Sequence, residues 1–148
     1  MPNRVNALIT VKSQSVFEGN NENIEMLIGG HFSSTDSGYE IIYDETDPET
    51  SEVTHTTVSI VLGGQITVKR EGGVNTQMIF ERRRRHLVYY DTQYGSLLVG
   101  ITTHRIDMSL EPETGGTLEV DYALEIDGQI ANEIRLSLNV APSVEKEG

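Results

Sequence analysis

Apolar and polar residues alternate along much of this chain, which is the pattern of a β-strand with one buried face. In the clearest stretch, 117–126, the residues that share one side are Leu118, Val120, Tyr122, Leu124 and Ile126. Residues 134–140 repeat the alternation, and the intervening Asp127-Gly128 is typical of a two-residue hairpin turn. The sequence therefore predicts an antiparallel hairpin with one apolar face.

The same pattern extends over most of the chain. Val, Ile and Thr together provide 40 of the 148 residues, whereas Ala provides four, a balance that favours strands over helices. Further strands are predicted near 4–16, 23–35, 38–46, 54–63, 65–72, 74–82, 86–92 and 95–110. The apolar residues of 95–110 change face near 102–104, which predicts a β-bulge there.

Strands joined by short turns must hide their edges, either in a barrel or in a sandwich. We predict an all-β fold: a single antiparallel up-and-down β-barrel of eight to ten strands. One domain is expected to cover residues 1–148, with a frayed tail from about residue 142.

Charge is unevenly distributed along the chain. The net charge is −12, and no Lys or Arg occurs between Ser13 and Val68. Four consecutive arginines, 82–85, form a basic strip on this acidic protein. Because an acidic surface repels phosphate backbones and anionic lipids, we expect neither nucleic acid nor a membrane as a partner.

The cellular setting is predicted from what the sequence lacks. It has no cysteine, which excludes disulfides and thiolate metal sites, and it has no apolar run of membrane-spanning length. Its first residues also lack the apolar stretch of a secretory leader. We expect a cytoplasmic protein.

Several short motifs follow one another in a recognisable order. They are Tyr43-Asp44-Glu45, Val68-Lys-Arg70-Glu-Gly72-Gly-Val74, Met78-Ile-Phe80-Glu81, Tyr90-Asp-Thr92-Gln-Tyr94-Gly95 and Gly116-Thr-Leu-Glu-Val-Asp-Tyr122. In this order and spacing, the chain resembles the YwiB-like family of uncharacterised bacterial proteins from about Val5 to Val140. The resemblance implies a calycin-like (lipocalin-like) barrel in the cytoplasm, and it implies no established activity or site residues.

Three arginines are candidates for ligand binding. Arg70 continues the inward parity of Ile66 and Val68, and Arg82 and Arg84 continue that of the next strand. If both strands keep their alternation, the three side chains converge at one mouth of the barrel, where guanidinium groups suit a carboxylate or phosphate. The alternative is that they lie in a solvated hairpin or pair with Glu71, Glu81 and the acidic loop 44–52.

Tyrosines form a second candidate set, comprising Tyr43, Tyr90 and Tyr122. Tyr43 and Tyr122 share the inward parity of their strands, and a tyrosine can line a cavity while its hydroxyl orients a polar ligand group. Tyrosine is equally an ordinary core residue of strands, and that interpretation remains open.

The sequence offers no metal or catalytic motif. Its histidines, at positions 31, 55, 86 and 104, lie on four different predicted strands without metal-ligand spacing. Nucleophile elbows, phosphate loops and HExxH runs do not occur. We therefore predict no metal, no cofactor and no catalytic residue, and an enzyme is the least favoured function.

Two functions are favoured over an enzyme. The first is binding of a small amphipathic molecule in the barrel, for which an anionic head with an apolar tail would use both the arginines and the interior. The alternative is a protein–protein interaction or assembly module, such as a homodimer, that presents the basic strip 82–85 to an acidic partner. Large inward residues such as Met78 and Phe80 could also fill the barrel completely.

Overall fold

A computed structural model describes residues 4–17, 19–73, 75–92 and 95–143 of the chain, and it confirms the all-β prediction. The strands are β1 (Arg4–Phe17), β2 (Asn20–Ser34), β3 (Gly38–Thr46), β4 (Val53–Val61), β5 (Ile66–Gly72), β6 (Thr76–Phe80), β7 (Arg85–Thr92), β8 (Gly95–Glu111), β9 (Gly115–Ile126) and β10 (Gln129–Pro142). Within the described ranges, no helical segment has the length and apolar character needed to cross a bilayer.

All ten strands belong to one antiparallel sheet with the order β6-β5-β4-β3-β2-β1-β10-β9-β8-β7. Each strand therefore pairs with its neighbour in sequence, except that β1 pairs with β10 and no ladder joins β6 to β7 among the described residues. The result is a nearly closed up-and-down barrel, as predicted, with a break in the order of its ladders between β6 and β7. We call that break the seam.

The hairpins divide the barrel into two ends. The β2–β3, β4–β5, β6–β7 and β8–β9 connections lie at one end, which we call the closed end. The other five connections, including the acidic segment 47–52 between β3 and β4, lie at the opposite end, which we call the open end. At the open end, the β9–β10 turn has Asp127 at φ 53° and Gly128 at φ 82°, the conformation for which an Asp-Gly pair is selected.

Large apolar side chains fill the closed end. The Phe32 and Tyr39 rings stack with centroids 5.5 Å apart, and the Tyr39 hydroxyl donates a 3.0 Å hydrogen bond to the Leu110 carbonyl. Ile9, Phe32, Ile41, Phe80, Leu118 and Leu138 are among the most completely buried side chains. The Tyr39 hydroxyl thus finds a partner inside the core, as a buried polar group must.

Two β-bulges bend the long strands. The register of β8 against β9 shifts between Thr103 and Arg105, which confirms the bulge predicted there. A second shift, between Ile130 and Asn132 of β10, was not predicted. β10 includes Pro142, and the Ser143 amide donates to the Asn6 carbonyl. The tail expected to fray from about residue 142 otherwise lies outside the described residues.

Candidate functional site

A row of polar residues crosses the inner wall of the barrel near the open end. The β-ladders place Tyr43 opposite Thr56, Thr56 opposite Arg70, and Arg70 opposite Thr76. Because residues directly opposite in neighbouring strands point to the same face, all four side chains lie on one side of the sheet. That side is the interior, since Tyr43 and Thr56 are buried and Arg70 and Thr76 are half-buried.

Arg70 has an acidic partner within the barrel. Its Nη2 atom donates to Glu45 Oε2 at 3.1 Å, and Glu45 lies two residues beyond Tyr43 on the same face of β3. The two side chains retain 31% and 22% of their exposure, so water still reaches the pair. This contact agrees with the alternative interpretation of Arg70, in which it pairs with the acidic segment.

The tyrosine candidates share the surroundings of Arg70. Burial and the nearby Glu45 carboxylate raise the pKa of Tyr43 to about 12, against the opposing effects of Arg70 and of a contact with the Thr56 hydroxyl. Burial likewise raises the pKa of Tyr90, and Arg70 again opposes the change. Burial and then the neighbouring Tyr90 raise the pKa of Tyr122. At neutral pH the three phenols are therefore protonated, and each can donate a hydrogen bond.

The Thr56 hydroxyl is the unusual atom of this row. Thr56 is completely buried, and its Oγ1 makes no hydrogen bond of good geometry to any described residue. Its neighbour on β3 is Tyr43, and the Thr56 hydroxyl lies near enough to the Tyr43 hydroxyl to lower the pKa of that phenol. The two hydroxyls are therefore in contact, at a geometry poorer than that of an ordinary hydrogen bond.

A groove of about 630 Å³ reaches one member of this row, Arg70, from solvent. It opens because β2 pairs with β3 only from Gly30 to Ser34, so the two strands separate toward the open end. Met26 and Ile28 of β2 line one side, Glu45 lines the other, and Arg70 contributes to the lining. We call this gap between β2 residues 20–29 and β3 residues 44–46 the split.

The structure does not bring Arg82 and Arg84 to Arg70, so the expected convergence of the three arginines was wrong. In an antiparallel hairpin the end of one strand lies beside the start of the next, and accordingly Arg70 pairs with Thr76 whereas Phe80 pairs with Ile66. Arg82 and Arg84 therefore lie at the closed end. The run is also a turn rather than a strand until Arg85, because Arg83 adopts a left-handed conformation with φ 62°.

The arginine turn instead fastens the seam. The Arg83 amide donates to the Thr103 carbonyl and the Thr103 amide donates to the Arg84 carbonyl, both at 3.2 Å. Arg82 donates to the Ile106 carbonyl, and Arg84 forms an ion pair with Glu81. These contacts attach the β6–β7 turn to β8 at its bulge, so much of the basic strip is engaged within the protein.

Histidines pair with carboxylates without forming a metal centre. His55 Nδ1 lies 2.5 Å from Asp44 Oδ1, and His86 Nε2 lies 3.0 Å from Glu81 Oε1. Across the described part of the chain, no three His, Asp or Glu side chains are grouped closely enough to hold a metal ion.

Sequence reasoning named Tyr43, Arg70, Tyr90 and Tyr122 as candidates and included Glu45 in the acidic loop 44–52 that could pair with the arginines, but it did not single out Thr56. Glu45 shares the parity of Tyr43 and could have been assigned to the interior by the same alternation. The state of the Thr56 hydroxyl depends on side-chain geometry, for which the sequence contains no signal.

Comparison with known proteins identifies the family. A model of the domain of unknown function DUF1934 matches residues 9–138. Among solved structures, the ywiB protein from Bacillus subtilis superposes with a TM-score of 0.79 over 95% of this chain and 94% of that one, at 20% identity. A search of curated proteins found no significant match. The chain therefore belongs to the DUF1934 family, the YwiB-like proteins of unknown function that its motifs indicated.

Proposed function

We propose that the protein binds a small amphipathic molecule at the open end of its barrel. The observation that carries this proposal is the position of Arg70, which lines the groove and continues the row of inward polar side chains formed with Thr56 and Tyr43. A polar ligand group at this place would form hydrogen bonds with these inward polar groups. The Tyr43 and Tyr90 hydroxyls and the Arg70 guanidinium supply further donors around it.

The apolar part of the ligand has its own surface. Met26 and Ile28 line the groove and pack against the core, yet remain only partly buried. Covering such side chains contributes roughly 25 cal/mol for each Å² removed from water. Small-molecule sites commonly combine a mostly apolar wall with a few convergent polar groups, and this interior has both.

Charge restricts the ligand further. Arg70 is already paired with Glu45, so an anionic ligand would have to exchange with that carboxylate. Asp47, Glu49 and Glu52 also line the described groove and would repel it. This environment favours a ligand with an uncharged or zwitterionic polar group over the anionic head group that the three candidate arginines suggested.

Native mass spectrometry of freshly purified protein, repeated under denaturing conditions, tests for a retained ligand. Fluorescence titration then compares two probes of similar shape, the neutral N-phenyl-1-naphthylamine and the anionic 1-anilinonaphthalene-8-sulfonate. We expect the neutral probe to bind more tightly. Failure of both probes to bind, together with no retained mass, would overturn the proposal.

A matched pair of variants locates the site. Arg70→Met should weaken binding of the neutral probe several-fold, because it removes a hydrogen-bond donor and leaves the Glu45 carboxylate without its partner. Arg84→Met replaces an exposed arginine at the closed end and should leave the affinity unchanged. Equal effects of the two substitutions would show that the probe binds elsewhere.

The alternative function, protein interaction or assembly through the basic strip 82–85, rests on the exposure of this turn at the closed end. The contacts of Arg82, Arg84 and Arg85 within the chain make it the less favoured of the two. Sedimentation at low and high salt tests it, since charge-mediated assembly should dissociate as salt is added.

A further inference from the structure

The split leaves one edge of β2 without a ladder to any other described strand. β2 pairs with β1 along its whole length, from Arg4↔Ser33 to Phe17↔Asn20. Its pairing with β3 ends at Gly30↔Tyr43, so the edge of residues 20–29 that faces away from β1 has no ladder within the described structure. Backbone N–H and C=O groups on such an edge can pair with another extended chain.

Gly30 marks the point where the strands separate. A Cβ atom at this position would lie 2.3 Å from the Ile42 carbonyl oxygen and 2.7 Å from Ile9 Cδ1, so a larger residue would force the neighbouring strand away. β2 and β3 approach closely at Gly30 and separate beyond it. The split is therefore a defined opening in the barrel wall.

The two sides of the split differ in chemistry. The β2 side presents Leu27, which is 66% exposed, with Met26 and Ile28 turned toward the interior. The opposite side is formed by the β3–β4 connection, with the carboxylates of Glu49 and Glu52. An occupant that fits both sides is extended, carries apolar side chains, and is positively charged.

We propose that the edge of β2 from 20 to 29 binds an extended basic peptide segment of a partner protein as an added strand. Main-chain hydrogen bonds to β2 would hold the segment, as in other cases of strand addition. Its apolar side chains would cover Met26 and Leu27, and its Lys or Arg side chains would reach Glu49 and Glu52.

A second copy of this chain is a poorer occupant. Its own β2 edge carries Glu22 and Glu25, and each copy has a net charge of −12, so pairing two such edges would bring like charges together. The charge of the split therefore favours a basic partner segment over self-association.

The test uses fluorescence anisotropy with a labelled peptide of about eight residues in which lysine alternates with valine, long enough to pair with this edge. Two control peptides isolate the two interactions. One replaces every lysine with glutamate, and the other keeps the lysines but carries N-methyl groups on alternate backbone amides. We expect the first peptide to bind and both controls to fail.

Paired variants of the protein separate local from general charge effects. Glu49→Gln combined with Glu52→Gln should weaken binding of the lysine peptide roughly tenfold. Glu111→Gln combined with Glu113→Gln removes the same charge at the closed end and should have little effect. Amide hydrogen exchange should slow within 20–29 when the peptide binds.

Several results would overturn the proposal. Equal binding of the N-methylated peptide would show that charge alone attracts it, and equal weakening by the two double variants would show that the attraction is not local. No binding of the lysine peptide, or a dimer that protects 20–29 and that the peptide does not displace, would exclude a basic segment as the occupant.

Discussion

The two ends of this barrel are built from the same strands but differ in what fills them. At the closed end Phe32 and Tyr39 stack, and the Tyr39 hydroxyl bonds to the Leu110 carbonyl. Nearer the open end, the Thr56 hydroxyl contacts Tyr43 without a hydrogen bond of good geometry, and Arg70 and Glu45 form an ion pair that water still reaches. The comparison suggests that the closed end provides stability whereas the open end is available for binding.

Truncating one side chain at each end gives the largest expected difference. Phe32→Ala should lower the free energy of unfolding by about 3–5 kcal/mol, because it leaves a cavity in a filled core. Met26→Ala, at the half-buried wall of the groove, should cost roughly 1 kcal/mol since less apolar surface is lost. Urea denaturation measures both, and similar costs would contradict the division between the ends.

Alkaline pH should lower the free energy of unfolding through Tyr43. Its pKa is about 12 in the folded protein, so between pH 10 and 12 the unfolded chain releases a proton that the folded chain retains. The stability that the buried, neutral Tyr43 phenol contributes is therefore fully present below pH 10. It is lost as the pH rises above 10, by about 2–3 kcal/mol in total.

Tyr43→Phe should remove this part of the pH dependence. Tyr89→Phe is the matched control, because the Tyr89 side chain is 71% exposed and meets water in both states. Denaturant unfolding between pH 8 and pH 11.5 provides the measurement. If the two variants show the same slope, Tyr43 does not contribute in the way described.

The smallest expected effect compares two buried threonines. Thr103 Oγ1 accepts a hydrogen bond from the Glu81 amide at the seam, so Thr103→Val should destabilise the fold by about 1 kcal/mol. Thr56→Val removes a hydroxyl that contacts Tyr43 without a hydrogen bond of good geometry, and should cost less than Thr103→Val. An equal loss of stability in the two variants would indicate that the Thr56 hydroxyl has a full hydrogen bond.

Local sequence signals were sufficient to predict the strands. The Asp127-Gly128 turn and the flanking alternation fixed the last hairpin, and the change of face near 102–104 located the bulge of β8. Both features depend on residues close together in the chain, where the geometry of a strand restricts side-chain direction.

Placement of the site required information that parity does not contain. Arg70 and Arg82 share an inward parity, yet successive antiparallel strands carry them to opposite ends of the barrel. The separation of β2 from β3 depends on how the whole wall curves, and it follows from no single motif. Sequence therefore predicted which side chains face inward better than it predicted which of them meet.

The pairing of β1 with β10 also has a consequence for folding. This ladder joins residues as distant in the chain as Thr10 and Asn139, whereas every other ladder connects consecutive strands. Closing a long loop lowers the entropy of the chain before the stabilising contacts form, and this slows folding. We therefore expect hairpins to form early and the β1–β10 ladder to form last, so that one edge of β1 stays unpaired until β10 has been synthesised.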